Sequence, residues 1–145
     1  MAIKVVAEAF GGPEVLAVVD EAVPDPGPGQ VSVEVRSAGT NPIDYKQFSG
    51  QLGADPSRLP MPVGLEAAGV VTAVGAGATG PGGPVRPGDE VILYRISGAY
   101  ASQVVVAASA AVAKPPPSLV RGGRRSHGDR GHRGPRPGCH RGRPG

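Results

Sequence analysis

Residues 30–36 read Gln-Val-Ser-Val-Glu-Val-Arg, and this stretch decides the fold class. Val31, Val33 and Val35 alternate with polar residues, so every second side chain is apolar. A period of two is typical of a β-strand that buries one face and exposes the other. We therefore predict a half-buried strand over residues 30–36.

Five further segments carry strand-like patterns, with turn residues between them. They are residues 3–9, 15–23, 70–74, 90–94 and 100–107. The chain holds 24 Gly and 17 Pro, and its apolar residues (39%) include few aromatics (3%), so we expect many turns and a core of Val, Ala, Ile and Leu. Short strands separated by Gly and Pro, without strand–helix–strand alternation, predict a rolled, barrel-like antiparallel sheet.

One segment, residues 43–50, carries helical signals. Asn41 can cap its start, Pro42 suits the first turn, and Asp44 is favourable near the positive end of a helix. Gly50 can end the helix. We therefore predict a mainly β fold with one or two short helices.

The charge is divided between two unlike parts of the chain. Residues 1–120 hold seven Lys and Arg against eleven acids, a net charge of −4, whereas residues 121–145 hold eight Arg against Asp129, a net charge of +7. The second part has no aliphatic or aromatic side chain, so it cannot offset the entropy of ordering. We predict a domain at residues 1–118 and a disordered Arg/Gly-rich tail at 119–145.

Cysteine content and hydropathy bear on location. Cys139 is the only cysteine, so no intrachain disulfide can form, which suits a reducing intracellular compartment. No apolar run reaches the roughly 18 residues that a membrane span needs. The first four residues do not open a signal peptide. We expect a cytoplasmic protein without a membrane partner.

The glycines at positions 75, 77 and 80 spell G-x-G-x-x-G after a predicted strand, the spacing of a dinucleotide-binding loop. Such a loop must open a helix, but residues 81–84 read Pro-Gly-Gly-Pro and cannot. We therefore predict a hairpin loop here. Residues 86–89, Arg-Pro-Gly-Asp, likewise predict a turn that leads into a strand.

Polar side chains gather in two places where chemistry is plausible. Residues 38–46 lead from a strand into the predicted helix, and Asn41 and Asp44 there serve either as helix caps or as site residues. Glu66 interrupts the small-residue run 64–69. A carboxylate in such a run is expected to be buried, where it needs partners or a task.

Four motifs stand in a defined order along the chain. They are AGTNPIDYK at residues 38–46, LPMPVGLEAAGVVTAVGAGA at 59–78, RPGDEVI at 86–92, and Gly-Ala-Tyr-Ala at 98–101 in a strand that ends near AVAKPP. Together they resemble the N-terminal half of the medium-chain dehydrogenase/reductase superfamily, and most closely its zinc-independent quinone oxidoreductase branch. The resemblance covers about residues 1–119 and implies a GroES-like, partly open β-barrel.

The resemblance also implies that no metal is bound. Zinc-dependent alcohol dehydrogenases of this fold carry a Cys in the segment corresponding to residues 37–41 and a His before the Glu of the second motif. This chain has no Cys in that segment and carries Leu65 before Glu66. A catalytic zinc needs about three His, Cys or carboxylate ligands, which Glu66 alone cannot supply. The resemblance gives Glu66 a role in holding the fold.

By this resemblance the activity is NADPH-dependent hydride transfer to a small-molecule quinone, enone or other activated double bond, bound between this barrel and a following Rossmann domain. Asn41 matches the family Asn beside the nicotinamide and the substrate. Tyr45 matches a hydroxyl that orients or protonates the substrate, although many relatives carry that Tyr at the position of Lys46. The resemblance thus marks Asn41 and Tyr45 as catalytic candidates, and Asn41, Asp44 and Tyr45 as NADPH contacts.

The sequence departs from the family after residue 119. Relatives continue with an Ala-rich helix and the Rossmann domain, through which the full-length family forms homodimers, whereas this chain turns to Arg, Gly, His and Pro. GC-rich codons for such residues, read one nucleotide later, encode an Ala-rich helix. We therefore expect a frameshift product, and a truncated chain that lacks the Rossmann domain and reductase activity.

The alternative is a stand-alone β-barrel interaction module whose eight tail Arg contact nucleic-acid phosphates. The tail has no Phe, Tyr or Trp for base stacking, so nucleic acid is the less favoured partner. Cys139 and the three His of the tail lack the paired spacing of a metal site.

Overall fold

The computed structural model of the protein describes residues 1–115. Within that part of the chain there is one α-helix, α1 (Pro42–Phe48), beside ten strands. The strands are β1 (Ala2–Ala7), β2 (Leu16–Glu21), β3 (Gln30–Ala38), β4 (Met61–Pro62), β5 (Glu66–Val74), β6 (Thr79–Gly80), β7 (Gly83–Pro84), β8 (Glu90–Tyr94), β9 (Gln103–Ala107) and β10 (Ala111–Ala113). The predicted tail at 119–145 lies outside the described residues.

The strands form three sheets in which every pairing is antiparallel. Their orders are β2-β1-β4, β10-β8-β5-β3-β9 and β6-β7. The two larger sheets meet at residues 100–102, where the Ser102 N–H donates to the Ile3 carbonyl and the Ser102 carbonyl accepts from the Val35 N–H. One segment therefore joins both sheets, and the predicted barrel-like antiparallel fold is confirmed.

Strand β3 confirms the alternation that predicted it, with one local exception. Val31 and Val33 are fully buried. Ser32 is buried as well, because the pairing of β3 with β5 shifts register between Ser32 and Val33. An extra residue of this kind turns a side chain out of the simple alternation. The Ser32 hydroxyl is satisfied there, since Oγ accepts from Gln103 Nε2 at 2.7 Å.

Strand β5 begins earlier than its sequence pattern predicts. We expected residues 70–74, and the strand runs over Glu66–Val74. Its first half, Glu-Ala-Ala-Gly, has no alternation of large apolar and polar residues, but it pairs with β3 on one side and β8 on the other. A Cβ at Gly69 would lie 2.1 Å from the Glu34 carbonyl oxygen, so only glycine lets the two strands approach.

Strand β9 begins later than predicted, at Gln103, because residues 100–102 join the two sheets instead. The short strands β4, β6, β7 and β10 were not predicted, since two or three residues carry no measurable period. Within residues 1–115 no helix has the length and the hydropathy to cross a membrane.

The glycine-rich segment confirms the prediction of a hairpin loop. No helix follows it, and β6 pairs with β7 across a tight turn. A Cβ at Gly75 would lie 1.8 Å from the Gly27 carbonyl oxygen, so this glycine serves a close backbone approach. The predicted turn at residues 86–89 is also confirmed, with Gly88 at φ +93° and the Arg86 N–H donating to Asp89 Oδ2 at 2.8 Å.

Candidate active site

The candidate site lies where β3 ends and α1 begins. Helix α1 confirms the sequence signals: Asn41 occupies the N-cap position and Pro42 is its first residue. Beyond the helix end, Gly50 adopts φ +82°, a conformation that glycine tolerates best. The local sequence therefore places Asn41 and the first turn of α1 a few residues after the end of β3.

Asp44 is the buried acid of this region. Its side chain belongs to the first turn of α1 and only 3% of the residue is exposed. Oδ2 accepts two hydrogen bonds, from the Asn41 N–H at 2.8 Å and from the Tyr100 hydroxyl at 3.0 Å. Oδ1 is buried and has no partner among the described residues. The contact with the Asn41 N–H is a capping contact made by Asp44, and the contact with Tyr100 reaches across the fold. The cap predicted from the Asn41 side chain has no hydrogen bond among the described residues.

Tyr100 is a residue of the site that sequence reasoning missed. Its ring lies against Gly64, where an added Cβ would stand 2.5 Å from Tyr100 Cδ1, and Gly64 has φ +96°. Burial, together with the hydrogen bond to the Asp44 carboxyl, raises the pKa of Tyr100 to about 12. The available signal was a lone hydroxyl group in an otherwise apolar Gly-Ala-Tyr-Ala segment, which we had assigned to a strand.

Glu66 differs from its prediction. It is the first residue of β5 and is only half-buried, so the expectation of a buried carboxylate here is wrong. Its backbone carbonyl accepts from the Gly39 N–H at 2.9 Å. Among residues 1–115 the Glu66 carboxylate has neither a hydrogen bond nor an ion pair. Any part that Glu66 plays in holding this segment is therefore played by its backbone.

Two polar side chains, those of Asn41 and Glu66, come close to Gly39. From the point where a Cβ would stand, Glu66 Oε2 is 3.1 Å away and Asn41 Nδ2 is 3.8 Å away. A hydrogen-bond acceptor and a donor thus stand beside the same glycine, where a side chain at position 39 would crowd Glu66. A donor next to an acceptor is the pairing that a carboxamide group requires.

Tyr45 lies on α1, one turn after Asn41, so the two residues are neighbours along one side of the helix. Tyr45 is 47% exposed, and its ring packs edge-on against Phe48 with centroids 5.5 Å apart. Lys46 is exposed as well. The hydroxyl of Tyr45 is therefore placed for contact with a molecule outside the barrel.

An open groove of about 560 Å³ runs beside this region, and its walls are mainly apolar. Thr40 and Tyr100 line it, together with Val5, Val35 and Ala38. In the described part of the chain, no three His, Cys, Asp or Glu side chains come together in a way that could hold a metal ion.

Comparison with known proteins gives the family. Residues 27–116 match the family described as the alcohol dehydrogenase GroES-like domain. The chain is 40% identical over 100 residues to the quinone oxidoreductase of Lama guanicoe, and 37% identical over 103 residues to quinone oxidoreductase 1 of Escherichia coli. These matches cover 68% and 70% of this chain.

A solved structure agrees with the sequence relatives. The crystal structure of Escherichia coli quinone oxidoreductase complexed with NADPH superimposes with a TM-score of 0.70 and 34% identity, over 78% of this chain and 33% of that one. The chain belongs to the alcohol dehydrogenase GroES-like domain family, of the quinone oxidoreductase type within the medium-chain dehydrogenase/reductase superfamily. The matched region spans 29% and 30% of the two curated relatives' lengths.

Proposed function

We propose that this domain is the substrate-side half of an NADPH-dependent reductase of quinones or enones. The observation that carries the proposal is the arrangement at the start of α1. Asn41 Nδ2 lies close to Gly39 at the N-cap of α1, and the exposed Tyr45 stands one turn further along the helix. The relatives are oxidoreductases, and a solved relative holds NADPH, which supports this assignment.

The described residues fit one end of NADPH. The carboxamide of a nicotinamide next to Asn41 would meet a donor, Asn41 Nδ2, and an acceptor, Glu66 Oε2, which both lie close to Gly39. The glycine-rich loop at residues 75–80 does not fit the phosphates, because it opens no helix and Gly75 is packed against the backbone of Gly27. Asn41 and Tyr45 would contact the nicotinamide end, and Asp44, being buried, would act through its neighbours.

NADPH, when bound, supplies the hydride. Reduction of a quinone or enone also requires a proton on the carbonyl oxygen, and a positioned side chain can give it. Tyr45 carries an exposed hydroxyl that can donate this proton and regain one from water. Asn41 Nδ2 can hold the same oxygen, or the carboxamide, by donating a hydrogen bond.

A domain graft tests the proposal. Residues 1–115 would replace the matching part of Escherichia coli quinone oxidoreductase, and NADPH oxidation with 1,4-benzoquinone would be measured. We expect an active hybrid in which Asn41→Ala lowers kcat/KM by about 100-fold, the effect of one positioned polar group. The control is Gln51→Ala, an exposed residue beyond α1. If the hybrid is active and its Asn41→Ala and Gln51→Ala variants have the same kcat/KM, the proposal is contradicted.

We further propose that the chain by itself has negligible reductase activity and that residues 119–145 derive from a shifted reading frame. The composition of residues 121–145, with eight Arg and no aliphatic side chain, supports this. Resequencing the gene across and beyond the codons for residues 115–145 tests it. An intact reading frame in the gene would overturn the proposed origin of residues 119–145. NADPH oxidation by protein of verified mass would overturn the proposed lack of activity.

A further inference from the structure

The contact between Asp44 and Tyr100 joins segments that are 56 residues apart in sequence. Asp44 belongs to α1, whereas Tyr100 belongs to the segment that ties the two larger sheets together. The backbone N–H of Tyr100 also donates to the Val63 carbonyl at 3.0 Å. The tyrosine therefore connects α1 to the residues that precede β5 and to both sheets.

The surroundings of Asp44 are costly for a carboxyl group. No described salt bridge includes it, Oδ1 has no partner, and both of its donors converge on Oδ2. A buried polar atom without a partner lowers stability. A carboxyl group could cap the helix equally well if it were exposed. Burial of Asp44 adds a hydrogen-bonded link from the Tyr100 hydroxyl to the backbone N–H of Asn41.

We propose that Tyr100 and Asp44 are positioning residues: the Tyr100 hydroxyl orients the Asp44 carboxyl, which holds the Asn41 N–H and thereby sets the direction of the Asn41 side chain over Gly39. This inference rests on the proposed function, in which Asn41 faces the nicotinamide. Asp44 is buried and the Tyr100 hydroxyl is engaged by its hydrogen bond to Asp44, so both groups act through Asn41. Their effect is to hold Asn41 in one orientation before a ligand arrives, which reduces the entropy lost on binding.

The test compares two tyrosines in the full chain. Tyr100→Phe keeps the ring against Gly64 and removes only the hydroxyl, whereas Tyr94→Phe changes an exposed tyrosine of β8. The probe is reduced nicotinamide mononucleotide, which carries the nicotinamide end alone. The backbone and side-chain amide signals of Asn41 are followed by NMR, first in the free protein and then during titration with the probe.

We expect Tyr100→Phe to shift the Asn41 signals of the free protein and to weaken binding of the probe by about tenfold, the effect of losing one hydrogen bond to a carboxylate. Tyr94→Phe should change neither. Asp44→Ala should shift the same signals, and adding Tyr100→Phe to it should shift them no further, because the two residues act in series. A stabilising osmolyte keeps weakened variants folded during the comparison.

The outcomes separate this inference from the function on which it rests. If Tyr100→Phe lowers only the unfolding temperature and leaves the Asn41 signals where they are, Tyr100 serves stability alone and the inference is wrong. If the Asn41 signals move in the variant but the wild-type protein does not respond to the probe, Asn41 is positioned by Tyr100 and the proposed nicotinamide contact fails.

Discussion

The two hydrophobic clusters of this domain are built from different materials. The large cluster lies within the five-stranded sheet and the loops beside it, and its thirteen buried residues are all aliphatic. The small cluster lies under α1 and consists of Ala7, Phe48, Met61 and Val63, with Phe10 and Tyr100 packed around it. Next to this small cluster stand the buried Asp44 and the positive-φ residue Gly64. The fold and the candidate site thus depend on different parts of the molecule.

This difference has a physical reason. Strands with aliphatic side chains are held together by close packing of apolar surface, and a polar group buried among them needs a hydrogen-bond partner. The region under α1 contains fewer apolar side chains, so its geometry is fixed by a hydrogen bond between side chains and by a glycine that admits a tyrosine ring. Changes in the large cluster should therefore act on stability, whereas changes near α1 should act on the site as well.

The largest effect is expected in the large cluster. Leu93 on β8 is fully buried, and Leu93→Ala should lower the free energy of unfolding by about 3 kcal/mol through lost burial and a residual cavity. Urea denaturation measures this. The control is Ile92→Ala on the same strand, where the side chain is 41% exposed and the loss should be well under half as large. Equal losses would show that the cluster does not dominate stability.

A smaller loss is expected at Gly64, in the region of the site. Gly64→Ala should lower the free energy of unfolding by about 2 kcal/mol. The new Cβ clashes with the Tyr100 ring, and a φ of +96° is strained for any residue with a Cβ. Gly53→Ala is the matched control: its φ is +110°, but nothing lies within 4 Å of the new Cβ. Urea denaturation of both variants separates the clash from the strain. A cost at Gly53 as large as at Gly64 would contradict the packing argument.

The hydroxyl of Tyr100 should contribute about 1 kcal/mol, as one hydrogen bond between side chains does. Its pKa is raised from 10.0 to about 12 in the folded protein. A raised pKa gives stability that is present below pH 10 and is lost as the pH rises toward 12. The unfolding free energy of the wild type should therefore fall over this interval more steeply than that of Tyr100→Phe. Parallel curves for the two proteins would refute this assignment.

The smallest effect on stability is expected at Tyr45. Its hydroxyl makes no hydrogen bond among the described residues, and the residue is 47% exposed, so Tyr45→Phe should change the unfolding free energy by no more than about 0.5 kcal/mol. In the grafted reductase the same change should lower kcat about tenfold or more, through loss of a proton donor. Lys46→Met is the control on the neighbouring position. A rate that falls with Lys46→Met instead would assign the role to Lys46.

Much of this architecture could be predicted from local patterns. The strand at residues 90–94 matches its prediction, and the helix starts one residue before and ends two residues before its predicted bounds. The turn at residues 86–89 and the hairpin nature of the glycine-rich loop are confirmed. Each of these features depends on residues close together in the chain, such as Pro followed by Gly or a cap followed by a helical turn.

The sequence marked Asn41, Asp44 and Tyr45 at the start of a helix, and the structure has Asn41 at the N-cap of α1 with the other two on the helix. Their roles toward a ligand stay predictions. Glu66 was expected to be buried because it stands among small residues, but it is half-buried. Tyr100 was overlooked, since its partner lies 56 residues away and no local pattern links the two.

The amino-acid sequence by itself determined that this is a mainly β domain with a Val- and Ala-rich core, and that the family motifs around Asn41 lie at the start of a helix, because periodicity, turns and caps are local properties. The three-dimensional structure was needed to establish which acid is buried, which tyrosine reaches it and why Gly64 and Gly69 are glycines. Burial and close backbone approach depend on which distant segments meet, and a single position in a sequence does not carry that information.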